Sequence, residues 1–187
     1  STPKPSSAAS DVYKRQMFCQ DPSRAQKDLR PDEIERIFKN MKPVYFFNMS
    51  GGEPFLRPDL PEIVELACKY IKPRVVHTPT TGIMTERLTE NTEKIIKIVR
   101  QYDKTVPVTV KPSIDGVGKL HDEIRGVEGN FNRLLKTIES LKRLEERYDN
   151  FHLELGTVVS NFNIDYLDEI EDFVCLLYTS PSPRDTR

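Results

Sequence analysis

From residue 31 onward, stretches with a helical hydrophobic repeat alternate with short apolar runs rich in strand formers, and no other feature limits the fold as severely. Ile34, Ile37, Phe38 and Met41 fall at i, i+3, i+4 and i+7 behind Pro31-Asp32, which predicts a first helix that Pro43 stops. Val44 to Met49 then reads as a strand buried on both faces. Leu60, Ile63, Val64, Ala67 and Ile71 form a second helical stripe, and Val75 to Thr78 a strand that ends at Thr80-Thr81-Gly82. A third helix is expected from Thr89 to Tyr102, carried by Ile95, Ile98, Val99 and Tyr102. Val106 to Ser113 is a strand weakened at its start by Pro107. Asn130, a good N-cap, opens a long helix through Phe131, Leu134, Leu135, Ile138, Leu141 and Leu144. A strand from His152 to Ser160 precedes a last helix through Leu167 and Ile170.

This alternation argues for an α/β fold of right-handed βαβ units around a parallel sheet, open or closed as a barrel. In either form the loops after the strands' carboxyl ends hold the site. Here those loops contain Ser50–Pro54, Thr80–Gly82, Ser113–Gly116 and Ser160-Asn161.

The 187 residues carry a net charge of −1, with no basic cluster interleaved with aromatics, so no nucleic-acid partner is expected. No apolar run approaches the ~20 residues that span a bilayer. The chain is therefore expected to be soluble, and a cytoplasmic location is expected. The odd set Cys19, Cys68 and Cys175 lacks zinc-finger spacing and does not suit a disulfide framework. Cys68 flanks a helical stripe and reads as an inert core thiol; His77 and His152 lie inside strands as packed or edge residues.

The two ends share one possible coding origin. Ser6 to Gln16 can be encoded by DNA whose reverse complement contains CTGTCTCTTATACACATC, and that string holds codons for Cys175 to Thr179, Cys-Leu-Leu-Tyr-Thr. They resemble a translated sequencing adapter, so residues 1–16 and 175–187 are expected to be non-native tails around a native core of 17–174. Two ordinary disordered tails are the alternative. With the native N-terminus expected to be missing, targeting is not readable.

Gly51 and Gly52, directly after a strand, let main-chain groups approach a ligand, and Glu53 offers a carboxylate for an ammonium group. Two glycines alone also fit a plain turn beside a solvated acid. The longer string Asn48-Met49-Ser50-Gly51-Gly52-Glu53-Pro54-Phe55-Leu56-Arg57-Pro58-Asp59 is more specific: it resembles the GGE segment of radical S-adenosylmethionine (radical SAM) enzymes. By that resemblance Gly51, Gly52 and Glu53 bind the amino group of the methionyl moiety. Phe18-Cys19 resembles the end of the family's Cys-x3-Cys-x2-Cys motif, which holds a [4Fe–4S] cluster. Cys19 would be the third ligand; Gln16 then stands where the second belongs, and the first would lie further upstream, within the adapter-like tail. Taken alone, Cys19 is equally a stray thiol.

Ser113-Ile114-Asp115-Gly116, His121-Asp122-Glu123-Ile124-Arg125-Gly126 and Gly129-Asn130-Phe131 are similar to a pattern of the family's peptide- and small-molecule-modifying branch. Ser113 and Asp115 suit ribose hydroxyls or substrate, and Arg125 suits either a carboxylate or an ion pair with Asp122 that holds the loop. Thr81-Gly82 resembles the family's Thr-Asn-Gly turn without its asparagine. Asn161 suits adenine or ribose, or else an Asx cap.

The resemblance implies a truncated partial (β/α)6 TIM-like barrel, about strands two to five with their helices. It also implies a [4Fe–4S] cluster and S-adenosyl-L-methionine as cofactors. Reductive cleavage to a 5′-deoxyadenosyl radical, hydrogen abstraction from a small-molecule or peptide substrate, and an electron donor such as flavodoxin or ferredoxin would complete the reaction. No side chain is assigned as a catalytic acid, base or nucleophile, and the chain as written is expected to be inactive. Two other classes fit the alternation: an S-adenosylmethionine- or nucleotide-binding scaffold without a cluster, and a sugar- or phosphate-processing barrel. The latter lacks a phosphate-binding glycine loop or paired carboxylates.

Overall fold

The computed structural model describes residues 29–179. Helix α1, Pro31–Lys39, begins with proline in its first turn, and Glu33 accepts the Arg30 main-chain N–H at 2.8 Å. Its buried stripe is narrower than expected: Ile34 and Phe38 are covered, whereas Ile37 and Met41 remain 46% and 44% exposed and the helix stops before Met41. Strand β1, Phe46–Asn48, is shorter than the Val44–Met49 run, and Phe46 is exposed. Among the described residues β1 is an edge strand, so the apolar run there does not signify burial on two faces.

Four parallel strands follow one another in the order β1-β2-β3-β4, with β2 at Val75–Thr80, β3 at Val108–Pro112 and β4 at Phe151–Leu153. The register places Asn48 beside His77, His77 beside Thr109 and Thr109 beside His152. Val76, Thr78 and Thr80 of β2 are buried, while Val75, His77 and Pro79 on the other face are half-buried. Helices α2 (Leu60–Tyr70), α3 (Thr85–Tyr102) and α5 (Asn130–Glu145) supply Val64, Leu88, Ile96, Leu134 and Leu141 to one core with Val76, Val110 and Phe151. The architecture is that of a partial TIM-like barrel, with helices following the strands in chain order.

Three further elements differ from the sequence reading. Helix α3 starts at Thr85, four residues early, because Leu88 is fully buried and Thr85 shares a 2.7 Å hydrogen bond with Thr137 of α5. The last strand ends at Leu153; the following chain stays beside β3 through the Glu154 and Gly156 N–H groups, which donate to the Val110 and Pro112 carbonyls at 3.1 and 3.0 Å, and through the Ser113–Gly156 bridge, before Val158 reaches Asp115. A helix not anticipated at all, α4 (Lys119–Arg125), turns two polar residues, His121 and Arg125, inward. The C-terminal helix α6 runs Leu167–Thr179, continuous through Val174-Cys175, with Phe173, Val174 and Leu177 against the core and the Tyr178 hydroxyl donating to the Leu153 carbonyl at 3.1 Å. Among the described residues no helix is long and apolar enough to cross a membrane.

Gly82 closes the loop after β2 at φ +73°, and a Cβ built there would lie 2.6 Å from Leu134 Cδ1, whose side chain is fully buried. Gly82→Ala should therefore cost about 2–3 kcal/mol through overpacking and left-handed strain, seen as a lowered urea midpoint at unchanged m-value.

Candidate active site

All four loops singled out from sequence lie at one end of the sheet, after the carboxyl ends of parallel strands. The first leaves β1 as Met49-Ser50-Gly51-Gly52-Glu53 and enters a 3-10 turn at Pro54–Leu56. Gly51 sits at φ +145°, a conformation that side chains rarely adopt, although space for a Cβ is open. Among the described residues no hydrogen bond engages the main chain of Ser50, Gly51 or Gly52, so its donors and acceptors face no internal partner.

Glu53 is only 5% exposed and is held on both oxygens. Oε1 accepts from the Thr80 hydroxyl at 2.8 Å and the Phe55 N–H at 3.3 Å; Oε2 accepts from the Thr81 N–H at 2.7 Å and the Thr81 hydroxyl at 2.6 Å. A carboxylate offers about four acceptor directions, and these four bonds take them. The two threonines thus clamp the first loop to the end of β2. Beside this loop a groove of about 1000 Å³ runs toward α1, with Leu29, Phe38, Phe47, Met49 and Leu60 among its walls. Arg57 pairs with Asp59 at 2.7 Å and donates to the Leu29 carbonyl at 2.7 Å at its rim.

At the end of β3, Ser113 is half-buried; its N–H donates to the Thr80 carbonyl at 2.9 Å, and its hydroxyl has no partner among the described residues. Asp115 is buried and committed: Oδ2 pairs with Arg125 at 2.6 Å and Oδ1 accepts the Val158 N–H at 3.0 Å. Arg125 therefore pairs with Asp115, and the ion pair expected with Asp122 does not form. Asp122 instead accepts the N–H groups of Gly129 (2.6 Å) and Phe131 (2.7 Å), so it caps α5 from outside while Asn130, the expected cap, lies within the helix.

His121 is fully buried, and burial together with the nearby Arg125 pushes its imidazole down to about 4, so it is neutral at pH 7. Its Nδ1 accepts the Asp115 N–H at 3.2 Å, and Nε2 lies 3.2 Å from the Asn130 side-chain amide. An imidazole accepting at both nitrogens would be an anion, so the proton resides on Nε2 and Asn130 turns its oxygen toward it. That orientation also satisfies an Asn130 oxygen otherwise buried without a partner.

Asn161 is exposed, with no hydrogen bond among the described residues. Asn161 caps no helix; Asn163 stands at the N-cap of the following 3-10 turn without a side-chain cap bond and, fully buried, instead accepts the Ser160 N–H at 2.8 Å and donates to the carbonyls of Asp115 (3.1 Å) and Val158 (3.0 Å). The Ser-x-x-Asn spacing was its signal. Cys68 is buried as expected, its thiol pushed up to about 11 by desolvation. Phe18 and Cys19 lie outside the described residues, among which no group of three or more His, Cys, Asp or Glu could hold a metal ion.

The family model described as the radical SAM superfamily matches residues 17–174. An AdoMet-dependent heme synthase of Methanosarcina barkeri is 29% identical over 133 residues, covering 71% of this chain and 33% of the relative. Mycofactocin maturase MftC of Mycolicibacterium smegmatis is 28% identical over 139 residues, 74% of this chain and 30% of its own. The antilisterial bacteriocin subtilosin biosynthesis protein AlbA of Bacillus subtilis is 32% identical over 94 residues, 50% and 19% of the two chains. The chain thus spans at most about a third of the length of these relatives.

Proposed function

The chain belongs to the radical SAM superfamily, whose cofactors are a [4Fe–4S] cluster and S-adenosylmethionine, and from that premise we propose that it is a core fragment carrying the S-adenosylmethionine half of the site. One observation carries the reading: after β1 the main chain of Ser50, Gly51 and Gly52 has no internal partner, while Glu53 behind it is fixed by Thr80 and Thr81. Gly51 and Gly52 would receive the methionyl amino group, with the buried Glu53 carboxylate orienting that loop and adding negative potential behind it. Ser113, with its uncommitted hydroxyl, would face ribose or substrate. Asp115 would act through Arg125 and Val158, holding the loops rather than touching the ligand, and Asn161 would reach adenine or ribose from the last loop.

The cluster fits this chain less well. Three thiolates hold such a cluster with one iron open. Cys19 has Gln16 and Val12 at the spacings where the other two belong. With one thiolate at the motif's spacing, the chain as written is proposed to be inactive. With all three cysteines in place, a bound [4Fe–4S] cluster would supply one-electron reduction of S-adenosylmethionine. The substrate would be a small molecule or a peptide, a range supported by relatives named for heme synthesis and for bacteriocin biosynthesis. An external electron donor such as flavodoxin or ferredoxin and a cytoplasmic location belong to the same proposal. Tails at 1–16 and 175–187 are proposed to be adapter-derived; the family match spans 17–174, whereas α6 runs on to Thr179 with Leu177 against the core.

Equilibrium dialysis with S-adenosylmethionine tests the half-site. Saturable binding that weakens about tenfold in Glu53→Ala is expected, since freeing the loop removes about 1.4 kcal/mol of positioning. Binding unchanged in that variant would remove the assignment.

A further inference from the structure

The structure assigns a second ligand site at the opposite end of the sheet, and its chemistry fits a small aromatic anion. There the segments that feed β1, β2 and β3 enclose a pocket of about 620 Å³, within the range of small-molecule sites. Its inner wall is apolar: Val99 and Val106 are buried, Val44 is half-buried, and the unionised thiol of Cys68 lies among them. Tyr45 and Tyr102 also line it and are 75% and 45% exposed, so two rigid aromatic side chains at the slot remain open to solvent.

The charges at the rim are unequal in availability. Lys72 and Arg74 both line the pocket, and among the described residues neither side chain makes a salt bridge or hydrogen bond. Asp103, the acid on the same rim, accepts the N–H and the hydroxyl of Thr105 on Oδ1 at 2.9 and 2.6 Å and feels the charge of Arg74 without a hydrogen bond to it, so Lys72 is the rim cation least offset by it. Two cations with unused donors thus overlook an apolar slot flanked by aromatic rings. This combination suits a planar ring bearing a carboxylate, sulfonate or phosphate.

The backbone adds an independent mark. Lys72 adopts φ +44°, and no other non-glycine residue among those described has positive φ. Such a position, just past the end of α2, ordinarily takes glycine, and a lysine there costs about 1 kcal/mol. Its N–H bonds the Ala67 carbonyl at 2.9 Å, so the strained turn fixes the lysine's direction of departure at the pocket rim. Nothing in this site depends on the cluster, on S-adenosylmethionine or on the loops at the other end.

Titration of the full chain with 1-naphthoate, followed by ligand fluorescence and by methyl NMR, tests the site. Saturable one-to-one binding is expected, with shifts at the Val44, Val99 and Val106 methyls. The neutral analogue 1-naphthalenemethanol should bind at least about tenfold more weakly, as should 1-naphthoate to the Lys72→Asn/Arg74→Gln variant. Asparagine keeps the positive φ accessible and both positions are exposed, so folding is retained. Absence of saturable binding, equal affinity for the neutral analogue, unchanged affinity in the double variant, or shifts confined to the groove near Met49 would each overturn the assignment.

Discussion

Arg125→Met is expected to destabilise the chain by about 3–5 kcal/mol, the loss associated with stranding one member of a buried ion pair. Arg125 and Asp115 approach to 2.6 Å with side chains only 6% and 7% exposed, so the remaining carboxylate would keep its desolvation cost without its cation. Asp115 also accepts the Val158 N–H, and its own carbonyl accepts from Asn163, so the loss spreads to the loop after β4. Adding Asp115→Asn to Arg125→Met should recover part of the deficit, because a neutral amide is cheaper to bury than an unpaired carboxylate. Urea unfolding of the two single variants and the double variant measures the coupling. A loss below about 1 kcal/mol for Arg125→Met would show that the pair does not hold the loops.

Acid should weaken the fold through His121. Its folded pKa, about 4, lies below the ordinary 6.5, so the unfolded chain takes up the proton first. The stabilising contribution is then complete above about pH 6.5 and declines as pH falls toward 4. Between pH 7 and pH 4.5 wild type should lose about 2–3 kcal/mol through this residue. Carboxylates also titrate in that range, so the relevant quantity is the difference from His121→Gln, which lacks the ionisation. Wild type and variant falling in parallel over that interval would contradict the assignment of a buried neutral imidazole.

Much of the fold was legible because its helices bury aliphatic stripes that leave a 3.6-residue signature, as Leu134, Ile138 and Leu141 do in α5. Helix α4 was invisible to that signature, since the residues it turns inward, His121 and Arg125, are polar and are accommodated by hydrogen bonds and an ion pair. The apolar run before Ser50 was legible as a strand but not as an edge, because apolar content does not distinguish a covered face from an open one. At the site, Gly51 and Gly52 stood out as residue types. Three of the four bonds that fix Glu53 come from Thr80 at the end of β2 and Thr81 just after it, 27 and 28 residues away in sequence, contacts created by the fold. Asn163 escaped notice beside Asn161 because burial, which only the fold determines, separates the two.

This chain is proposed to carry the S-adenosylmethionine half of a radical SAM site with one cluster thiolate in place. Anaerobic reconstitution with iron and sulfide, followed by iron analysis and visible absorption, tests it most directly. The unchanged chain should hold well under one cluster, whereas Val12→Cys/Gln16→Cys, which restores the Cys-x3-Cys-x2-Cys spacing to Cys19, should gain iron and a thiolate-to-iron charge-transfer band. About four irons per chain with that band in the unchanged protein would contradict the account.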